Sequence, residues 1–271
     1  MLRLSYRAST TIPVEAECLT PDQLAGKSAA DIARLPVQHG NRQEPLGEFF
    51  GVEGDANDQQ VVIEGDCGRV KWIGAGMTAG RLMVVGNAGM HLGSEMRGGE
   101  IIVRGNVGDW PGAEMRGGRI HVHGDAGHLA GAGYRGSRLG MRGGALLIEG
   151  KAGNEVGSTM RRGLIAVGGD VGDFPGVSMI AGTVFLFGGV GQRAAAGMKR
   201  GTVACWGAPP ALLPSFRFDC VYRPVFVEIY LRQLREWGYG PARERGRARY
   251  RRYSGDLVAL GKGEILCVEP D

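Results

Sequence analysis

The chain has 271 residues, a mass of 28.8 kDa, a net charge of +4 and 43% apolar residues. Glycine takes 49 positions, about 18% against about 7% in ordinary proteins, with no Gly-X-Y period, so collagen is excluded. The apolar content and low net charge exclude a wholly disordered chain.

Five cysteines, at 18, 67, 205, 220 and 267, form no Cys-x-x-Cys pair, so a structural zinc or iron–sulfur site has no sequence support. Reduced thiols and the lack of a signal-peptide run point to the cytoplasm. No apolar stretch reaches 18 residues, so no membrane partner is expected.

From the N-terminus, Thr20-Pro21-Asp22 predicts a helix start, with Thr as the cap and Pro at the first helical position. Ser28 opens a second short helix, which runs to Leu35 and is stopped by Pro36. Residues 35–50 are loop-like.

Forty of the 49 glycines fall between Gly51 and Gly207, and this region is a repeat. Met77, Met96 and Met115 are 19 residues apart, as are Met141, Met160, Met179 and Met198. The gap from Met115 to Met141 is 26, which is 19 plus an insertion of seven at about 132–138. A looser copy precedes them at 61–68. Glycine recurs three and nine residues after every Met. Five and seven residues after each Met stand only apolar residues, from Leu82 and Val84 to Val203 and Cys205. A spacing of two is the inward face of a strand. Nineteen residues are too few for a strand plus a crossover helix. They suit one coil of a right-handed parallel β-helix, stacked at about 4.8 Å per coil. The expected fold class is therefore all-β: a solenoid of about seven coils with short helical flanks.

The insertion reads as a bulge at one corner, either neutral or functional. The column six residues after Met should face outward, yet it reads Met83, Ile102, His121, Leu147, Ala166, Phe185 and Ala204. A solvated face would be polar, so this face needs a cover: the C-terminal segment or another subunit.

Few residues suggest chemistry. Gly74-Ala75-Gly76 lacks the βαβ unit of a dinucleotide site. His121 and His123 point outward together, but a metal needs a third ligand and none is evident, so no metal ligands are assigned. The four-residue string at 109–112 recurs at 173–176 as a turn signature. No catalytic residue is assigned.

One column invites a ligand. The residue after each Met is Thr78, Arg97, Arg116, Arg142, Arg161, Ile180 and Lys199. Stacked guanidinium groups about 5 Å apart repel unless an anion or carboxylate offsets them. Glu95 and Glu114 offset two of them, while Arg142 and Arg161 have Gly140 and Thr159 as neighbours. Arg97, Arg116, Arg142, Arg161 and Lys199 either splay into solvent or line a groove for an anionic tail or acidic partner.

After Gly207 comes a Pro-rich linker. Phe226, Ile229, Tyr230, Leu234 and Trp237 then predict a helix over 225–237, ended by Gly238. Residues 243–252 hold six arginines, read as a solvated or subunit-contacting tail. No nucleic-acid module accompanies them, so no nucleic-acid partner is expected. The division is 1–50, 51–207 and 208–271.

The run from Met96 to Gly108 resembles the Gly-rich end of glutamate synthase large subunits and, more closely, the C subunit of formylmethanofuran dehydrogenase. The flanks, Leu35-Pro36-Val37 with His39-Gly40-Asn41, Leu46-Gly47-Glu48-Phe49-Phe50, and Gly261-Lys262-Gly263-Glu264-Ile265-Leu266, look like the version in bacterial formyltransferase/hydrolase complexes.

The resemblance implies a non-catalytic C subunit, part of an enzyme complex and not an enzyme alone. Its partners would be the A, B and D subunits, of which A is amidohydrolase-like and carries zinc and D is a formyltransferase. The complex would move a formyl group from formyl-tetrahydromethanopterin to a methanofuran-type carrier and release formate. The carrier's glutamate tail is a candidate for the arginine column, and this chain alone would hold no cofactor. One alternative is the C subunit of an archaeal-type dehydrogenase reducing CO2, whose B subunit carries molybdenum or tungsten. Another is a free-standing module for acidic polymers.

Overall fold

The structure, a computed structural model, describes residues 1–243 and 246–269. It is an all-β protein with few helices. Strands β1 (Leu2–Tyr6) and β2 (Val14–Glu15) come first, then α1 (Pro21–Leu24) and α2 (Ala29–Ala33). Both helices start as predicted. The Thr20 hydroxyl accepts from the Gln23 amide and the Ser28 hydroxyl from the Asp31 amide.

The segment expected to be a loop is not one. It forms a hairpin of β3 (Pro36–His39) and β4 (Arg42–Pro45), turned at Gly40 with φ +62°, then a short 3-10 turn over Leu46–Glu48. Val37 and Leu46 are buried there, so apolar anchoring overrides a loop-like composition.

Next come β5 (Phe50–Gly54), β6 (Gln60–Glu64) and β7 (Val70–Lys71). The repeat region then lays down β8 (Arg81–Val85), β9 (Glu100–Val103), β10 (Arg119–Val122), β11 (Arg142–Ile148), β12 (Arg162–Val167), β13 (Thr183–Leu186) and β14 (Arg200–Cys205). Each pairs in parallel with the strand of the preceding repeat, and Ile101, Ile120, Leu146, Ile165, Val184 and Val203 stand in one register. A second line of parallel bridges links Cys67, Ala88, Val107, Ala126, Ala152, Val171 and Val190. A third line of bonds runs through the turns: the Gly93 amide donates to Ile73, Gly112 to Leu92 and Gly131 to Pro111.

The core follows the columns. All seven repeat methionines are fully buried, as is every residue of the two inward columns. Flexible thioethers fill the space between β-branched and leucine side chains. Gly99 shows why glycine follows each Met: its φ is +82°, and a Cβ there would sit 2.7 Å from the carbonyl oxygen of Gly80.

The chain closes with β15 (Arg217–Tyr222), α3 (Val225–Glu236), β16 (Tyr250–Gly255) and β17 (Lys262–Val268). The helix prediction holds, with Gly238 at φ +77° after the Trp237 cap. The tail prediction does not. Among the described residues, 250–255 are strand, Arg249 and Arg251 pair with Glu269, and Arg252 pairs with Glu264 and Asp219. Glu244 and Arg245 lie outside the described residues. β17 adds in parallel to β14, setting Gly263, Ile265 and Cys267 beside Gly201, Val203 and Cys205. β1 adds in parallel to β6 at the other end. The main sheet has 13 strands among the described residues, in the order β15-β16-β17-β14-β13-β12-β11-β10-β9-β8-β6-β1-β5.

From Leu147 onward the outward apolar column is covered by this chain's own C-terminal segment, while Met83 is only half-buried. Leu147, Ala166, Phe185, Ala204 and Leu266 form a second core with Val227, Leu231, Leu234, Tyr239 and Tyr250. No helix among the described residues is long and apolar enough to cross a membrane.

Candidate anion-binding cleft

The column after each Met is stacked by the backbone. The amides of Arg97, Arg116, Arg142, Arg161, Ile180 and Lys199 donate to the carbonyls of Met77, Met96, Met115, Met141, Met160 and Met179, at 2.7–2.8 Å. The side chains divide into two groups.

In the first group, carboxylates offset the charge. Glu95 and Glu114, at φ +55° and +52°, project toward the next repeat. Glu95 therefore pairs with Arg116 at 3.2 Å, and Glu114 with Arg142 at 3.7 Å. This corrects the expectation for Arg142, which does have an acidic neighbour, one repeat away and not in its own. Arg97 lies apart, exposed at a small cleft with Glu17, Trp72 and Ser94.

In the second group, Arg161 and Lys199 are exposed and make no ion pair with any described residue. Arg162 and Arg200 join them. Neither is among the residues expected from sequence, yet a signal is there: the column two residues after Met is otherwise Ala or Gly, and each stands out in it. Between the two basic pairs lies a repeat with Ile180-Ala181-Gly182, which carries no charge and little bulk. Two steps of strand spacing separate the pairs, about 9.6 Å. The result is a cleft of about 540 Å³ with four cations on its rim, walled by Tyr230 of α3 and by Leu260. Unpaired cations at this spacing repel one another, and an anionic ligand with charges a few bonds apart relieves that repulsion.

The wall is anchored. The Gly197 amide donates to Asp256 Oδ2 at 2.9 Å, which ties the loop carrying Leu260 to the repeat. Burial pushes the Asp256 carboxyl up, but hydrogen bonds from the Gly197 amide, the Ser215 hydroxyl and the Val258 amide outweigh it and hold the group below its usual range. Past Tyr230 and Gly163 the cleft meets a second one of about 480 Å³, lined by Leu164, Ile229, Gln233 and Trp237, with the Arg119 guanidinium 5.1 Å from the Trp237 ring. Basic rim and apolar floor are thus adjacent.

The insertion has a structural task on another face. Trp72, His91 and Trp110 stack at 4.2 and 5.4 Å, each with positive φ, and Tyr134 of the insertion lies across them. Its hydroxyl donates to Ser94 Oγ at 2.8 Å and sits 3.1 Å from His91 Nδ1.

No protein-family model matches the chain. Over 95 residues it is 40% identical to the C subunit of the tungsten-containing formylmethanofuran dehydrogenase 2 of Methanothermobacter thermautotrophicus, covering 34% of this chain and 35% of that one. Over 85 residues it is 45% identical to the C subunit of the molybdenum-containing formylmethanofuran dehydrogenase 1 of Methanosarcina barkeri, covering 30% and 28%. The chain thus spans about a third or less of the curated relatives it matches. A solved chain of the formyltransferase/hydrolase complex (FhcABCD) from Methylorubrum extorquens, in complex with methylofuran, superposes with a TM-score of 0.88 at 33% identity. That match covers 99% of this chain and 100% of the other.

The chain belongs to the family of formylmethanofuran dehydrogenase C subunits. Family membership fits the glycine-and-methionine repeat and both flanks, since the match to the solved chain runs end to end.

Proposed function

We propose that this chain is the non-catalytic C subunit of a formyltransferase/hydrolase complex that carries a formyl group from formyl-tetrahydromethanopterin, through a methanofuran-type carrier, to formate. The observation that carries this is the end-to-end similarity to a chain of FhcABCD, a complex solved with methylofuran. Its partners would be the A, B and D subunits, with zinc on A, in the cytoplasm. The repeat would wind as a right-handed parallel β-helix over 51–207, with 1–50 and 208–271 closing its two ends. Three bonded lines linking successive repeats support that winding.

Within such a complex the Arg161, Arg162, Lys199 and Arg200 cleft would hold the acidic tail of the carrier, with the adjoining apolar floor receiving its less polar part. Arg97 would extend that face, while Arg116 and Arg142 would contribute less, since Glu95 and Glu114 already engage them. Val225, Ile229 and Val258, at 74%, 64% and 86% exposure, offer apolar contact to partner subunits.

A gentle affinity purification of this chain from its native cell, followed by native mass spectrometry and metal analysis, tests the proposal. Amidohydrolase-like and formyltransferase chains with zinc, and no molybdenum or tungsten, are expected. Molybdenum or tungsten with iron would move the chain to the dehydrogenase that its archaeal relatives belong to. A lone monomer would overturn the proposed membership of a complex.

A further inference from the structure

Away from the cleft, three side chains converge at the middle of the sheet. His121 lies on β10 and His123 directly follows that strand, and their rings sit side by side with centroids 4.4 Å apart. Glu149 stands just after β11, 26 residues after His123, which is one repeat plus the insertion. His121 Nε2 lies 3.0 Å from Glu149 Oε1, and His123 Nδ1 lies 3.3 Å from Glu149 Oε2. The ligand-type atoms of the three residues all fall within 4.8 Å of one another.

We propose that His121, His123 and Glu149 form a binding site for a borderline divalent metal ion, zinc foremost. A zinc tetrahedron with bonds of about 2.1 Å has edges of about 3.4 Å, close to both nitrogen–oxygen separations. Two imidazoles and one carboxylate suit such an ion. The site has a closed side and an open one. His121 is 6% exposed, with the Tyr239 ring 6.2 Å away and Gly240 beside Glu149. The side chains of His123 and Glu149 are each 26% exposed, which leaves water a route to the fourth position. His121 sits in the paired strand β10, and His123 and Glu149 are fixed just past β10 and β11 by backbone bonds to Val103 and Val122, so the geometry exists before an ion arrives.

The proton arrangement yields a distinctive consequence. Without metal, each imidazole satisfies Glu149 by donating N–H to it, and Arg104 Nη1, 3.1 Å from His123 Nε2, donates to that nitrogen. A metal on His123 Nδ1 moves the ring proton to Nε2, where it faces a guanidinium donor. Arg104 therefore opposes metal and must turn away into solvent, where it is already exposed. Arg104→Gln replaces that donor with a side-chain carbonyl that can accept from the same N–H.

The test is zinc titration of the full chain, after chelator treatment, against a chromophoric competitor. A single zinc per chain is expected, with affinity about ten-fold or more weaker in Glu149→Gln and His123→Ala and about ten-fold tighter in Arg104→Gln. His128→Ala, a histidine outside the cluster, is expected to change nothing. Cobalt loading of the unmutated chain is a readout that needs no variant. Visible d–d bands without thiolate charge transfer are expected, which separates this site from Cys18 and Cys220. Equal uptake by the unmutated chain and Glu149→Gln, no zinc uptake, or a thiolate cobalt spectrum would each overturn the proposal.

Discussion

Phe185→Ala asks whether the outward apolar column is truly covered by this chain's own helix. Phe185 is fully buried, with ring centroids 4.9 Å from Trp206, 5.7 Å from Tyr230 and 6.4 Å from Phe187. Truncating such a side chain costs about 3–5 kcal/mol, because transfer energy and edge-to-face contacts are lost and the surrounding sheet relaxes only partly. At about 2–4 °C per kcal/mol for a chain near this size, the melting temperature should fall by about 6–20 °C. Phe218→Ala is the control: Phe218 is 59% exposed and should change stability by less than about 0.5 kcal/mol. Urea unfolding followed by tryptophan fluorescence reads both. A loss below about 1 kcal/mol for Phe185→Ala in the isolated chain would mean that another subunit supplies the cover, and the packing account would fail.

Other predictions bear on the repeat, the cleft wall and the insertion. Gly99→Ala puts a Cβ at φ +82° and 2.7 Å from a backbone oxygen, so it should destabilise the chain by about 1–3 kcal/mol in the same urea assay. Asp256 titrates below its ordinary 3.8 when folded, so its contribution to stability is present above that value and is lost as pH falls through the folded value. Urea midpoints should therefore hold steady near neutrality and drop below about pH 4, and Asp256→Asn should start lower and show a shallower acid limb. Tyr134→Phe removes the donor to Ser94 and should cost about 0.5–1.5 kcal/mol while leaving anion binding unchanged.

Much of the fold was legible because the repeat writes its inward columns in sequence. The two inward columns, from Leu82 and Val84 to Val203 and Cys205, are apolar without exception, and the strands fall where those columns place them. The added strands were harder to read. β17 copies the Gly-x-Ile-x-Cys phase of the repeat at 263–267 but lacks the methionine and follows 62 residues after its partner, as the Thr202 and Glu264 register shows. β1 has no repeat glycine at all. The site was legible in part. Stacking of the arginines follows from a constant spacing, but their pairing depends on where a left-handed Glu114 aims its side chain, which spacing alone does not encode. Arg162 and Arg200 carried a signal as the exceptions in a column of small residues. Glu149 was hidden from the histidines because the insertion breaks the 19-residue count just before it.

The most direct test of the cleft's role is equilibrium binding of a fluorescent oligoglutamate to the purified complex, and to the same complex with Arg161→Glu and Lys199→Glu together. Each reversal removes an attraction and adds a repulsion of about 0.5–1 kcal/mol at an exposed site. The expected result is affinity at least about ten-fold weaker in the double variant, a binding that fades as salt rises, and little change for Arg116→Gln. Equal affinity in the unmutated and doubly reversed complexes would contradict the assignment of this cleft to an anionic tail.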